Sequence, residues 1–184
     1  MRVIAGEARR LPLVAPDGKD TRPTTDRIKE TLFNVIQDDV PGSRFLDLFS
    51  GSGGIAIEAL SRGAAHATLV EMASEPLKCI EQNLTKTHMK DRATVFPVEM
   101  SHAVMKLGQK GVTFDIIYAD PPYRKGYEEK ILSVIENSHV TEPGTLVILE
   151  SAKETPVDYV NEEVFEIDRV KEYKTNKHIF LRVR

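Results

Sequence analysis

The stretch Phe45-Leu46-Asp47-Leu48-Phe49-Ser50-Gly51-Ser52-Gly53-Gly54 decides how the rest of the chain is read. Its strand-like first half runs straight into a glycine-rich corner, and Ile55, Ile57, Ala59 and Leu60 then recur at helical spacing up to Arg62. That pattern predicts strand, tight turn, helix. Gly51 and Gly53 tolerate positive φ and let a ligand approach the backbone where a Cβ would block it. The helix behind them points unpaired N–H groups at the same spot, which favours a carboxylate or phosphate there. A small, partly anionic cofactor is expected on this corner.

Outward from the corner, strand and helix alternate. The predicted order is strand Phe45–Phe49, helix Ile55–Arg62, strand Ala67–Glu71, helix Glu75–Lys86, strand Ala93–Val98 and helix His102–Lys110. Strand Phe114–Ala119, helix Tyr127–Asn137 and strand Thr145–Glu150 continue it. This is the rhythm of an α/β fold, a doubly wound, mostly parallel sheet with helices on both faces and ligands beyond the carboxyl ends of the strands. The tail breaks it: Phe165–Tyr173 and His178–Val183 are too close together for a crossover and should pair antiparallel. Upstream, Arg2–Gly6 and Arg10–Val14 predict a small β-hairpin. Pro16, Gly18 and Pro23 then break the chain, Thr24 or Thr25 caps a helix, and Ile28, Leu32, Val35 and Ile36 form its apolar stripe. The expected organisation is an N-terminal hairpin extension over residues 1–22 and one domain over 23–184.

Composition bounds the class. At 184 residues, 41% apolar and 29% charged, the chain has the make-up of an ordinary soluble domain with room for a core. No long apolar run spans a membrane and no export signal is read, so a cytoplasmic address is expected. Cys79 is the only cysteine, and His66, His88, His102, His139 and His178 show no ligand spacing, so neither a disulfide nor a metal is expected. A net charge of −3 argues against nucleic acid, yet residues 1–30 carry seven basic against five acidic residues. Arg169–Arg184 carries six basic residues against Glu172 alone. Basic ends on an acidic body leave room for a local nucleic-acid footprint.

Two features carry chemistry. Gly51-x-Gly53-x-x-Ala56, with Glu71 at the end of the next strand, fits a nucleoside crevice in which the acid accepts from ribose hydroxyls. Nicotinamide, flavin and S-adenosylmethionine all remain open at this point. Asp47, a charge inside the strand, is less expected for a nicotinamide site. Asp120-Pro121-Pro122-Tyr123, delivered by the strand Phe114–Ala119, is the deciding feature. Two prolines end the strand rigidly with an acid on one side and an aromatic ring on the other. Such a turn grips a planar ring bearing an exocyclic amine: Asp120 accepts one N–H, a proline carbonyl the other, and Tyr123 stacks.

Asp47, Gly51-Ser52-Gly53, Glu71-Met72 and Asp120-Pro121-Pro122-Tyr123, in this order, resemble the class I S-adenosylmethionine-dependent methyltransferases that modify base amines. Arg22-Pro23-Thr24-Thr25-Asp26-Arg27-Ile28-Lys29-Glu30-Thr31-Leu32-Phe33-Asn34 narrows the resemblance to the RsmD family, bacterial guanine-N2 methyltransferases of 16S ribosomal RNA, across nearly the whole chain. It implies a seven-stranded sheet whose last hairpin carries the antiparallel strand. It also implies a cofactor set of Asp47, Phe49, Gly51, Ser52, Gly53, Glu71, Met72, Glu99 and Met100, with Glu71 on the ribose and Met72 against the adenine. Asp120, Pro121, Pro122 and Tyr123 would be catalytic. Arg2, Arg9, Arg10, Arg22 and Arg27 are the expected RNA contacts, and the substrate would be 16S rRNA within a small-subunit particle. Three rivals stand beside this reading. A DNA adenine-N6 methyltransferase would need a recognition insertion for which the chain has no room. A nicotinamide oxidoreductase would need an acid/base pair that is not found, and a non-catalytic RNA-binding assembly factor would keep the fold without the reaction.

Overall fold

The computed structural model describes residues 1–16, 26–123 and 125–184. Arg22, the Thr24/Thr25 cap and the boundary expected at residues 22 and 23 lie outside the described residues. Seven strands make a mixed sheet, mostly parallel with an antiparallel C-terminal part, as the alternation and the resemblance imply. The chain divides into two compact units, Met1–Glu99 and Met100–Arg184.

The first unit contains α1 (Asp26–Val35), β1 (Arg44–Asp47), α2 (Gly54–Ser61), β2 (His66–Val70), α3 (Ser74–Lys86), a 3-10 turn (Lys90–Arg92) and β3 (Ala93–Phe96). Its strands lie in the order β3-β2-β1 and pair in parallel, with Asp47 opposite Leu69 and Leu69 opposite Val95. The α2 residues Ile55, Ala56, Ile57, Ala59 and Leu60 are buried, which explains why its sequence is apolar nearly all round.

The α1 stripe differs from the expectation. Its inward face is Lys29, Leu32, Phe33 and Ile36, while Ile28 is only half-buried. A lysine goes inward because Glu58 of α2 waits for it: Lys29 Nζ lies 3.3 Å from Glu58 Oε2 and donates to the Arg2 carbonyl at 2.6 Å. Hydropathy alone places a lysine outside, and a buried counter-charge reverses that. The same carboxylate accepts from the backbone N–H groups of Ile4 (2.8 Å) and Ala5 (3.0 Å) and from Arg62 Nε (2.8 Å). Arg62 in turn lies over the Phe33 ring, 5.1 Å from its centroid.

The N-terminal segment is thereby fastened to α2. Arg2 and Pro12 form an isolated antiparallel bridge. Ser61 Oγ donates to the Ala5 carbonyl (2.6 Å) and accepts from the Ala8 N–H (3.0 Å). Gly6 has φ +82, and a Cβ there would come within 1.7 Å of the Ser61 carbonyl oxygen. Only glycine allows the two backbones to approach so closely.

The second unit contains α4 (Met100–Gln109), β4 (Ile116–Ala119), α5 (Tyr127–Glu136), β5 (Leu146–Ala152), β6 (Phe165–Glu172) and β7 (Asn176–Val183), with strand order β4-β5-β7-β6. β4 and β5 are parallel and buried along their whole length, as uninterrupted apolar runs should be. β5 pairs antiparallel with β7, and β7 with β6, so the tail forms the expected hairpin. β5 extends two residues past the expected end at Glu150, because its pairing continues through Glu150–His178 to Ala152–Asn176. β6 closes the sheet as an edge strand whose exposed Glu166, Arg169, Lys171 and Glu172, with a bulge between Ile167 and Arg169, discourage further pairing.

Candidate active site

At the end of β1 the chain turns through Ser50-Gly51-Ser52-Gly53 into α2. Ser50 N–H donates to the Val70 carbonyl (2.9 Å), Ser50 Oγ to the Asp47 carbonyl (3.0 Å) and Gly53 N–H to the Ser50 carbonyl (2.7 Å), which ties the corner to β1 and β2. Gly53 caps α2 at φ +82, where a Cβ would press on Leu69 at 3.1 Å. Among the described residues nothing lies within 4 Å of where a Gly51 Cβ would be, so that face of the glycine is open. From β2, Glu71 reaches back to the same corner. Its Oε2 accepts the Gly51 N–H at 3.0 Å, and its Oε1 accepts the N–H groups of Met72 (2.8 Å) and Ala73 (2.9 Å). Met72 stands 70% exposed beside it, a large apolar side chain presented to solvent.

Asp47 lies at the foot of the corner, 1% exposed, and neither of its carboxylate oxygens has a hydrogen-bond partner among the described residues. Burial is the main cause that pushes its carboxyl up to about 7, and the Glu71 carboxylate adds to it. The N–H groups of Phe49 and Ala56 and the Ser50 hydroxyl favour the charge without reaching bonding geometry, so they offset only part of the rise. An unsatisfied buried carboxylate needs a visiting donor or cation. The ammonium of an amino-acid moiety seated on the corner would supply one. The corner therefore fits such a cofactor on two observations, the orphaned Asp47 and the open face of Gly51.

A pH experiment follows from Asp47. Its folded value lies well above the roughly 3.9 of an unfolded aspartate. Between about pH 4 and pH 7 the unfolded chain is ionised there and the folded chain is protonated, so stability falls as pH rises through this window and levels off above it. Asp47→Asn should raise Tm at pH 8 more than at pH 5, measured by thermal unfolding. An equal gain at both values would contradict the assignment.

Asn83 of α3 was not singled out from sequence and proves central to the corner. It is fully buried; its Nδ2 donates to the Ser52 carbonyl (2.9 Å) and the Val14 carbonyl (2.8 Å), while its Oδ1 accepts the Val14 N–H (2.8 Å). One amide thus links the glycine loop to the N-terminal segment. Glu99 ends the first unit half-buried, and Met100 opens α4 with its side chain 3% exposed.

In the second unit β4 delivers Asp120-Pro121-Pro122-Tyr123. Asp120 and Tyr123 are half-buried, Pro121 is buried and Pro122 exposed. With no N–H on either proline, the turn cannot extend the strand. The Tyr123 hydroxyl donates to Glu150 Oε1 of β5. Glu150 also accepts from the Tyr118 hydroxyl (2.8 Å), Asn176 Nδ2 (2.6 Å) and His178 Nε2 (3.0 Å). Burial pushes the Glu150 carboxyl up, but the bond and charge of His178, with the two tyrosine hydroxyls, outweigh it and hold the group below its usual value. Sequence reading passed over Glu150. The signal was there, since a charge following the apolar run Leu146–Leu149 needs partners.

Of the expected RNA contacts, Arg9, Arg10 and Arg27 are exposed, whereas Arg2, also exposed, pairs with Asp26 (Nε–Oδ2 3.1 Å). Arg10 holds φ +73, in the left-handed region. Among the described residues no group of three or more His, Cys, Asp or Glu side chains could hold a metal, and no helix is long and apolar enough to cross a membrane.

A parallel strand ending on a glycine corner, an acid at the tip of the next strand and an acid-diproline-aromatic turn after β4 define a class I methyltransferase fold. The solved structure "Putative methyltransferase yhhF from Escherichia coli" matches at TM-score 0.86 and 32% identity, covering 100% of this chain and 98% of that one. The chain belongs to the RsmD family: residues 1–182 match the family described as "Conserved hypothetical protein 95". Ribosomal RNA small subunit methyltransferase D of Escherichia coli K12 is 38% identical over 154 residues, 84% of this chain and 76% of that protein. Its namesake in Haemophilus influenzae is 32% identical over 159 residues, 85% and 81% of the two chains.

Proposed function

We propose that the chain transfers a methyl group from S-adenosylmethionine to the exocyclic N2 amine of a guanine in 16S ribosomal RNA, in the cytoplasm and within a small-subunit particle. The observation that carries the reading is the Asp120–Tyr123 turn, an acceptor acid and an anchored aromatic ring at the end of a fully buried strand. The names of the relatives agree with it in reaction and in RNA.

Bound on the glycine corner, S-adenosylmethionine would supply a methyl group from a sulfonium, whose sulfur becomes a neutral thioether. Asp47 and the Gly51 loop would hold its amino-acid end, Glu71 its ribose and Met72 a face of its adenine. Asp120 accepts one N–H of the guanine amine and the Pro121 carbonyl the other. Positive charge grows on the amine nitrogen as the methyl arrives and is relieved when the nitrogen releases a proton to solvent, so the Asp120 carboxylate stabilises the transition state more than the ground state. Guanine N2 is a weak nucleophile whose lone pair is delocalised into the ring. Alignment of nitrogen, methyl and sulfur therefore supplies much of the rate, up to roughly 7–11 kcal/mol by effective molarity. Tyr123 stacks on the extruded base, worth on the order of 1–3 kcal/mol.

Exposed arginines at the N-terminus would meet phosphates. Each phosphate contact contributes a salt slope of roughly 0.7–0.9, so Arg9→Ala combined with Arg10→Ala should reduce the slope of log affinity against log salt by about 1.5. Titration of labelled rRNA at several salt concentrations measures it. An unchanged slope removes these two side chains from the interface. The reading itself is tested by transfer of label from methyl-labelled cofactor to rRNA lacking the modification.

A further inference from the structure

We propose that Glu150 is a positioning residue for this reaction, a buried anchor that holds the Tyr123 ring by its hydroxyl so that the ring face stays set for the incoming base. The proposal rests on the functional reading above.

A carboxylate offers about four acceptor sites. Glu150, 4% exposed, has four donors on them: the hydroxyls of Tyr118 and Tyr123, Asn176 Nδ2 and His178 Nε2. With all four in place the group cannot rotate without breaking several bonds at once. Its partners are themselves pinned. Tyr118 is 1% exposed in β4, and Asn176 and His178 sit in β7 opposite Ala152 and Glu150. The second ring nitrogen of His178, Nδ1, meets the Tyr173 hydroxyl at 3.0 Å, so both ring nitrogens are engaged. Edge-to-face contacts with Tyr118 (6.1 Å), Tyr173 (5.1 Å) and Phe180 (6.2 Å) fix the imidazole plane.

Of the four donors only Tyr123 is half-exposed, and only Tyr123 belongs to the turn that carries Asp120. The other three would leave one site on Glu150 to be filled by water or by any nearby hydroxyl. It is filled by the aromatic residue three positions after the acid. A tyrosine held at its backbone and again at its hydroxyl loses the swing about its side-chain torsions, while both ring faces stay free of that bond. A charge-assisted bond suits this restraint because it is stronger than one between neutral groups. The tether therefore fixes the ring against which the base is stacked, and it acts on rate through Tyr123 without touching the substrate.

The test is a double-mutant cycle on the full chain with rRNA substrate, joined to an observation that needs no turnover. Tyr123→Phe removes only the tether from a surface turn, and Glu150→Gln removes the charge at the anchor. Each should lower kcat about ten-fold, the scale of one lost charge-assisted hydrogen bond, with cofactor KM unchanged. In the Tyr123→Phe background the Glu150→Gln change should cost less than about two-fold, because the bond it acts through is gone. In 13Cζ-tyrosine NMR, the signal absent from Tyr123→Phe should move in Glu150→Gln. Costs that simply multiply, or a Tyr123 signal that stays in place, would overturn the tether. If the unmutated protein transfers no methyl at all, the functional reading falls instead, and the NMR signal still decides whether the tether exists.

Discussion

Asp120→Ala is expected to abolish methyl transfer, by at least about a thousand-fold in kcat, while affinity for S-adenosylmethionine changes little. The asymmetry comes from where the residue sits. Asp120 belongs to the turn after β4, whereas the Gly51 loop, Asp47 and Glu71 that would hold the cofactor lie in the first unit. A preorganised acceptor aimed at developing charge contributes of the order of 100- to 1,000-fold alone. Here the same group also orients the amine, so its loss removes alignment as well. Asp120→Asn keeps the shape and loses the charge, and should retain more activity than alanine. Single-turnover transfer with calorimetric cofactor binding checks both halves. Parent-rate methylation by Asp120→Ala would remove this residue from the chemistry.

Glu58→Ala should be the most destabilising single change of those considered, by about 3–5 kcal/mol, the scale of stranding one member of a buried ion pair. Glu58 is fully buried and answers four donors: Lys29, Arg62 and the N–H groups of Ile4 and Ala5. Removing it leaves Lys29 charged without its partner at a site where burial already lowers the amine's pKa against the pull of Glu58. It also removes two of the hydrogen bonds that fasten the N-terminal segment to α2. A domain of this size loses roughly 2–4 °C of Tm per kcal/mol, so Tm should fall by roughly 6–20 °C. Lys29→Met combined with Glu58→Gln should be milder than Glu58→Ala, since the fully buried Lys29 charge is then gone and a glutamine oxygen still accepts. A double variant as unstable as the single one would show that the bonds from the backbone N–H donors matter more than the ion pair.

Sequence periodicity carried the fold far because the parallel strands β1, β2, β4 and β5 are buried along nearly their whole length. These strands read as largely apolar runs, and strands such as β1 and β4 begin or end within two residues of their expected bounds. The glycine corner and the diproline turn were legible for a related reason: each is a local backbone device whose residues are adjacent in sequence. What sequence missed is polar, buried and assembled from distant segments. Lys29 faces inward only because Glu58, 29 residues away, balances it, and α1 hydropathy therefore pointed to Ile28. Asn83 matters through bonds to Val14 and Ser52, and Glu150 through bonds to β4, β7 and the turn. No periodic pattern encodes such pairings. The clue in each case is a polar residue interrupting an apolar face, which says that a partner exists and not which one.

The role of Asp120 and Tyr123 as a clamp on a base amine is the central claim, and product analysis tests it most directly. rRNA from cells lacking the protein is incubated with the pure chain and methyl-labelled S-adenosylmethionine, then digested to nucleosides and separated. The expected result is label in N2-methylguanosine alone, lost with Asp120→Ala. Label in a ring-carbon or ribose methylation product, or RNA bound tightly with no label transferred, would contradict the account.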